Sequence, residues 1–124
     1  MDETIKAEWV AALRSGKYLQ GNGTLRRGEK FCCLGVLCDL SAKKGNGRWV
    51  SEDIYGFQRF RFDIGAASHS SWLPAQLARD AGITDFGHLP ELENKDGDCA
   101  ESLVSLNDGG LTFNQIADVI NYAL

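Results

Sequence analysis

Five cations crowd one short stretch of the chain: Arg14, Lys17, Arg26, Arg27 and Lys30. They are interleaved with Tyr18 and Gln20 and surround a Gly21-Asn22-Gly23 turn. Guanidinium groups present forked donors that match phosphate oxygens, and lysine adds a compact point charge. The stretch leads into the amino end of an apolar helix, where free N–H groups favour anions. Arg14, Lys17, Tyr18, Gln20, Arg26 and Arg27 are therefore the candidate ligand-binding residues. The ligand they suit is a small phosphate-bearing, nucleotide-like anion. The loop is not a P-loop, because Gly-x-x-x-x-Gly-Lys-[Ser/Thr] is absent. An ordinary solvated basic loop is the competing reading.

Thiol chemistry is the alternative. Cys32 or Cys33 falls in the first helical turn, where the dipole lowers a thiol pKa. Gln20, Cys32, His69 or His88, and Asn107 follow one another in an order that resembles papain-like hydrolases, so a cysteine-dependent hydrolase or transferase comes second. The local papain-type signature is missing and both histidines fall in loop sequence, so buried structural thiols explain Cys33, Cys38 and Cys99 more simply. No Cys-x-x-Cys pair exists, and Cys33 and Cys38 leave one helical face, so no metal or cofactor is expected. Asp39, alone in an apolar run, must be neutral or paired. It is expected to meet an arginine or a helix N-terminus, while Asn107 and Asp108 read as turn and cap residues.

The net charge of −4 conceals an asymmetry. Residues 1–61 hold eleven Lys/Arg and seven Asp/Glu, whereas residues 62–124 hold two and ten. Either the halves neutralise each other, or a basic face meets an anion and an acidic face meets a protein partner. A pI near 5.1 and the lack of a helix-turn-helix or zinc-finger signature argue against duplex DNA. No run reaches transmembrane length and the acidic start is not a signal peptide, so a soluble cytosolic protein with reduced thiols is expected. At 124 residues and 44% hydrophobic content, the chain suits one domain over 1–124 with one core.

The elements that position these groups follow from periodicity. Residues 31–43 form the most apolar run and predict a buried central helix, capped by Gly45 after Lys43 and Lys44. Gly35 in its middle costs about 1 kcal/mol relative to Ala, which predicts an element crossing close to its backbone. Ile5, Trp9 and Leu13 predict an amphipathic helix over 2–14. The Asn-Gly turn predicts a hairpin joining 18–20 to 24–26. Over 46–62, Tyr55-Gly56 separates β-prone segments, with Phe60 and Phe62 one way and Gln58, Arg59 and Arg61 the other. Aromatics there read as core, with base stacking by Tyr55 or Phe57 as the lesser possibility. Residues 63–72 read as loop, 74–81 as a short helix opened by Pro74, 83–97 as loop, and 98–106 as a further helix. Thr112 and Gln115 form a capping box for a helix over 113–123.

The combination of Trp9, Ala12 to Tyr18, Gln20, Leu25-Arg26, Cys32-Cys33-Leu34-Gly35-Val36-Leu37-Cys38-Asp39, Leu73-Pro74, Leu106-Asn107-Asp108, Phe113 and Ile116-Ala117-Asp118 resembles a group of small uncharacterised bacteriophage- and prophage-encoded proteins. The resemblance implies a phage accessory protein in the host bacterial cytoplasm, acting on a host or defence component, and carries no activity with it. Most shared positions are core, cap or turn positions. Arg14, Lys17, Gln20 and Arg26 are the exceptions, fitting no packing role. The expectation is a small, mainly helical α+β domain around helix 31–43 with one or two short antiparallel hairpins. Its expected function is non-enzymatic binding of a host protein or a small anionic ligand.

Overall fold

A computed structural model describes residues 2–70, 73–83 and 103–123. The protein is an α+β domain in the order α1 (Glu3–Arg14), β1 (Leu19–Gln20), β2 (Arg26–Arg27), β3 (Lys30–Phe31), α2 (Cys33–Lys43), β4 (Arg48–Ile54), β5 (Phe57–Ile64), β6 (Ala67–His69), α3 (Ala75–Ala81), α4 (Leu103–Asp108) and α5 (Phe113–Ala123). The expected loop at 83–97, most of the helix at 98–106, His88 and Cys99 lie outside the described residues.

Helix α2 is the centre of the core. Cys33, Leu34, Val36, Leu37 and Cys38 are buried, and α2 packs on α1, α4, β3 and β4. Leu40 is only half-buried, and α5 packs chiefly against α1 rather than against α2. Trp9 is fully buried and its Nε1 donates to the Cys33 carbonyl at 2.9 Å, tying α1 to the start of α2. The expected crossing at Gly35 is present: a Cβ there would lie 1.8 Å from the Leu25 carbonyl oxygen. That oxygen also accepts from the Cys32 N–H at 3.2 Å, so the backbone at Leu25 lies against the first turn of α2.

The strands depart from the expected pattern in two places. Segments β1 and β2 do not form a hairpin. Instead β3 lies between them, parallel to β1 and antiparallel to β2. A tight Asn-Gly turn needs positive φ at both central residues, and only Gly23 has it. Phe31, read as the start of the central helix, thus belongs to β3, Cys32 is the N-cap, and the helix begins two residues later, at Cys33. Residues 63–72 are not simply loop, because β5 continues to Ile64 and turns back into β6. The β4–β5 hairpin forms as expected around Tyr55-Gly56, with φ of +51 and +84. Its register puts Trp49, Phe60 and Phe62 on the inner face and carries Gln58 with them, opposite to the expectation for Gln58. Tyr55 and Phe57 are not core at all: they are 97% and 77% exposed.

The helix ends obey their local chemistry. Asp2 accepts from the Ile5 N–H at 2.9 Å, and Gly82 closes α3 in the left-handed conformation. Thr112 and Gln115 exchange reciprocal hydrogen bonds at 3.2 and 2.9 Å, a formed capping box. No helix among the described residues is long and apolar enough to cross a membrane.

Candidate functional site

The loop after β1 is held down from both sides. The Gly21 N–H donates to the Phe31 carbonyl at 2.8 Å, and a Cβ on Gly21 would lie 2.9 Å from the Lys30 Cβ, so this loop must run close to β3. From the other side comes Asn107, at the end of α4 and only 3% exposed. Its Oδ1 accepts from the Gln20 Nε2 at 3.0 Å and from the Cys33 N–H at 3.2 Å, while its Nδ2 donates to the Gly21 carbonyl at 2.7 Å. The neighbouring Asp108 accepts from the Gly23 N–H at 3.2 Å.

Beside this clasp opens a cleft of about 400 Å³, lined by Gln20, Gly21, Asn22, Arg27, Lys30, Asn107, Gly110 and Leu111. Arg27 and Lys30 are cross-strand partners on β2 and β3, so the pairing brings two cations to one side of the cleft. Both are exposed, and neither joins an ion pair among the described residues. Among side-chain groups, two cations and the Asn22 amide are thus available to a ligand.

The residues singled out from sequence do not all converge there. Only Gln20 and Arg27 line this cleft. Arg14 pairs with Asp118 of α5 at 2.5 Å. Lys17, Tyr18 and Arg26 line a second, more mixed cleft of about 280 Å³ with Glu29, Phe31, Asp39 and Lys43. Three of the candidates turn out to have structural roles. The Gln20 amide is fully used: its Nε2 also donates to the Leu111 carbonyl at 2.7 Å, and its Oε1 accepts from the Phe113 N–H at 3.1 Å. Arg26 donates from Nε to the Gly28 carbonyl at 2.8 Å and lays its guanidinium 4.0 Å from the Phe60 ring centroid, with Phe31 and Trp49 also in range. A planar cation so placed acts as a packing group. The Tyr18 hydroxyl donates to Asp39 at 2.5 Å and accepts from Lys43 at 3.1 Å. Burial and the Asp39 carboxylate push its pKa up.

The amino end of α2 is not an open anion site either. Its first N–H groups are answered internally, Cys33 by Asn107 and Gly35 by the Cys32 sulfur at 3.4 Å. Lys30 and Asn107 are the cleft residues that sequence reasoning left out of the site. Asn22 lines it too. The signal for Lys30 was its i+3 spacing from Arg27 across Gly28, but it becomes readable only once residues 30–31 are known to be a strand.

The three thiols among the described residues have the wrong surroundings for catalysis. Cys32 is 3% exposed, and Cys33 and Cys38 are fully buried. Burial pushes all three thiols up, Cys33 and Cys38 strongly so. A nucleophilic cysteine needs the opposite shift and access to solvent. Asp39 meets neither an arginine nor a helix end. It accepts from Tyr18 and from Trp49 Nε1 at 3.1 Å, and pairs with Lys43 at 3.4 Å. Asp39 and Asp108 are thus engaged by separate partners. Among the described residues, no three His, Cys, Asp or Glu side chains gather as metal ligands.

No curated protein and no solved structure matches the chain. A family match does exist and runs the full length, over residues 1–124. The chain belongs to the family described as a domain of unknown function, DUF8296.

Proposed function

We propose that the protein is a non-enzymatic binding protein whose cleft between β2–β3 and the α4–α5 turn takes a small phosphate-bearing ligand of the nucleotide class. One observation carries this reading: Arg27 and Lys30, directly paired across β2 and β3, face a 400 Å³ opening with no carboxylate partner among the described residues. Two uncompensated cations side by side, with the Asn22 amide at the same cleft, offer the charge-assisted donors that a phosphate group takes. The volume suits a mononucleotide-sized molecule better than a macromolecule. The sequence resemblance supports a setting in the bacterial cytoplasm as a phage accessory protein, where such a ligand would be of host or defence origin.

A panel of nucleotides and inorganic phosphate, screened by thermal shift at low salt, tests the proposal. Binding to the native state alone raises the midpoint, by about 2.7 kcal/mol of stabilisation at a hundredfold excess over Kd. The shift should shrink with added salt and vanish in Arg27→Ala or Lys30→Ala. A panel without any shift, or a shift that survives both substitutions, refutes it.

A further inference from the structure

A different face of the molecule points to a second copy of this chain. Strand β4 is one of the two outer strands of the β4-β5-β6 sheet, and the longer of them. Over Arg48–Ile54, no outward backbone group has another backbone partner among the described residues. A seven-residue edge with open N–H and C=O groups is a template for another strand. Edge strands usually carry charges that deter pairing. Here the charges are placed so that they favour one particular pairing.

Side chains alternate between faces, so a twofold-related antiparallel β4 pair keeps each face intact only when centred on a single residue. Centred on Glu52, acid meets acid. Centred on Ser51, Val50 meets Glu52 and Arg48 meets Ile54. Centred on Val50, Val50 meets its own copy and Arg48 meets Glu52 of the second copy, twice by symmetry, adding a second cation to a carboxylate that Arg61 of its own chain holds at 3.4 Å. Arg48, Val50 and Glu52 all lie on the outer face, opposite Trp49, so both ion pairs and the valine contact share one surface.

The hairpin tip fits the same register. Tyr55 holds φ of +51, a conformation that a bulky aromatic residue avoids and Asn tolerates. The residue is 97% exposed, so neither the turn nor the core accounts for a tyrosine there. With Val50 at the centre, Ile54 falls opposite Asn46 of the second copy. Tyr55 then lies beside the second copy's Gly45-Asn46-Gly47 segment. That segment borders an open cleft of about 320 Å³ lined by Gly45, Gly47, Arg48, Asp63 and Gly65. Knob and hollow sit at opposite ends of one strand, as an isologous contact demands.

We infer that the protein forms a twofold dimer through antiparallel β4–β4 pairing centred on Val50, which places Arg48 against Glu52 and Tyr55 against the glycine-lined cleft of the second copy. Sedimentation equilibrium of the full chain should show a monomer–dimer equilibrium. Arg48→Glu or Glu52→Arg alone creates two like-charge contacts and should raise the dissociation constant roughly tenfold or more. The double variant Arg48→Glu/Glu52→Arg should restore dimerisation. Tyr55→Asn relieves the turn, so it should weaken the dimer without lowering monomer stability, and this variant separates association from folding. A wild-type monomer up to roughly 1 mM overturns the inference, as does a dimer indifferent to the single charge reversals. Loss of dimer in both single variants without recovery in the double variant overturns the register.

Discussion

Replacing Asn107 by alanine is the sharpest probe of how the fold and the cleft are joined. The substitution deletes an acceptor used by the Cys33 N–H and by Gln20 Nε2, and a donor used by the Gly21 carbonyl. Each bond contributes about 1 kcal/mol net, and the groups left behind are orphaned in a buried setting, where the cost is at the upper end of the range. The Cys33 N–H is also one of the first-turn donors of α2, whose loss of a cap typically costs about 1 kcal/mol. Counting each bond once gives about 3 kcal/mol, a large share of a small domain's stability. The thermal midpoint should fall on the order of 10 °C. Denaturant unfolding followed by circular dichroism gives the free energy directly. Because Gln20 and Asn107 are bonded, Gln20→Ala in the Asn107→Ala background should cost less than in the wild type. An Asn107→Ala variant within about 0.5 kcal/mol of wild type, or a strictly additive double variant, would refute the clasp.

Gly35→Ala should prevent native folding or cost more than a typical core truncation, since its Cβ would collide with the Leu25 carbonyl oxygen at 1.8 Å; a soluble variant with a wild-type midpoint would contradict that packing. Leu37→Ala, deep in α2 at 1% exposure, should lose about 2–5 kcal/mol, read from the denaturant midpoint. Alkaline pH should destabilise the protein. Unfolded thiols ionise near pH 8.5, whereas burial holds Cys32, Cys33 and Cys38 protonated above that. The native state then binds more protons than the unfolded one, so stability falls as pH rises past about 8.5, by up to about 1.4 kcal/mol per unit for each thiol. Tyr18 and Lys43, both raised, act in the same direction at higher pH. A denaturant midpoint unchanged between pH 7 and 10 would contradict the burial. The same thiols should alkylate slowly in the native protein and fast in denaturant.

Much of the fold was legible because it follows local rules. The apolar run at 31–43, the Gly35 crossing, the capping box at Thr112 and the glycine stop at 45 depend on nearby residues alone. The first sheet was not legible, because β1, β2 and β3 are two residues each and owe their existence to Leu25 docking on Gly35 and to Gly21 docking on β3. That docking also decides the site. Gln20, Arg26 and Tyr18 look like unassigned polar residues until Asn107, Phe60 and Asp39 arrive from distant parts of the chain and engage them. Arg27 and Lys30 remain available because the same pairing turns them toward the cleft. The β5–β6 return was hidden by Gly65, Ala66, Ala67 and Ser68, small residues with little strand preference.

The most direct measurement is calorimetric titration of the nucleotide giving the largest thermal shift, at low salt, into wild type, Arg27→Ala, Lys30→Ala and Arg14→Ala. Arg14 is paired with Asp118 and does not line the cleft, so it controls for general loss of positive charge. An anion site built on the β2–β3 pair gives saturable one-to-one binding in wild type and Arg14→Ala. Affinity should fall at least roughly tenfold on loss of Arg27 or Lys30, the weight of one charge-assisted contact of about 1.5–3 kcal/mol. Equal weakening by all three substitutions, or no saturable binding to wild type, would contradict it.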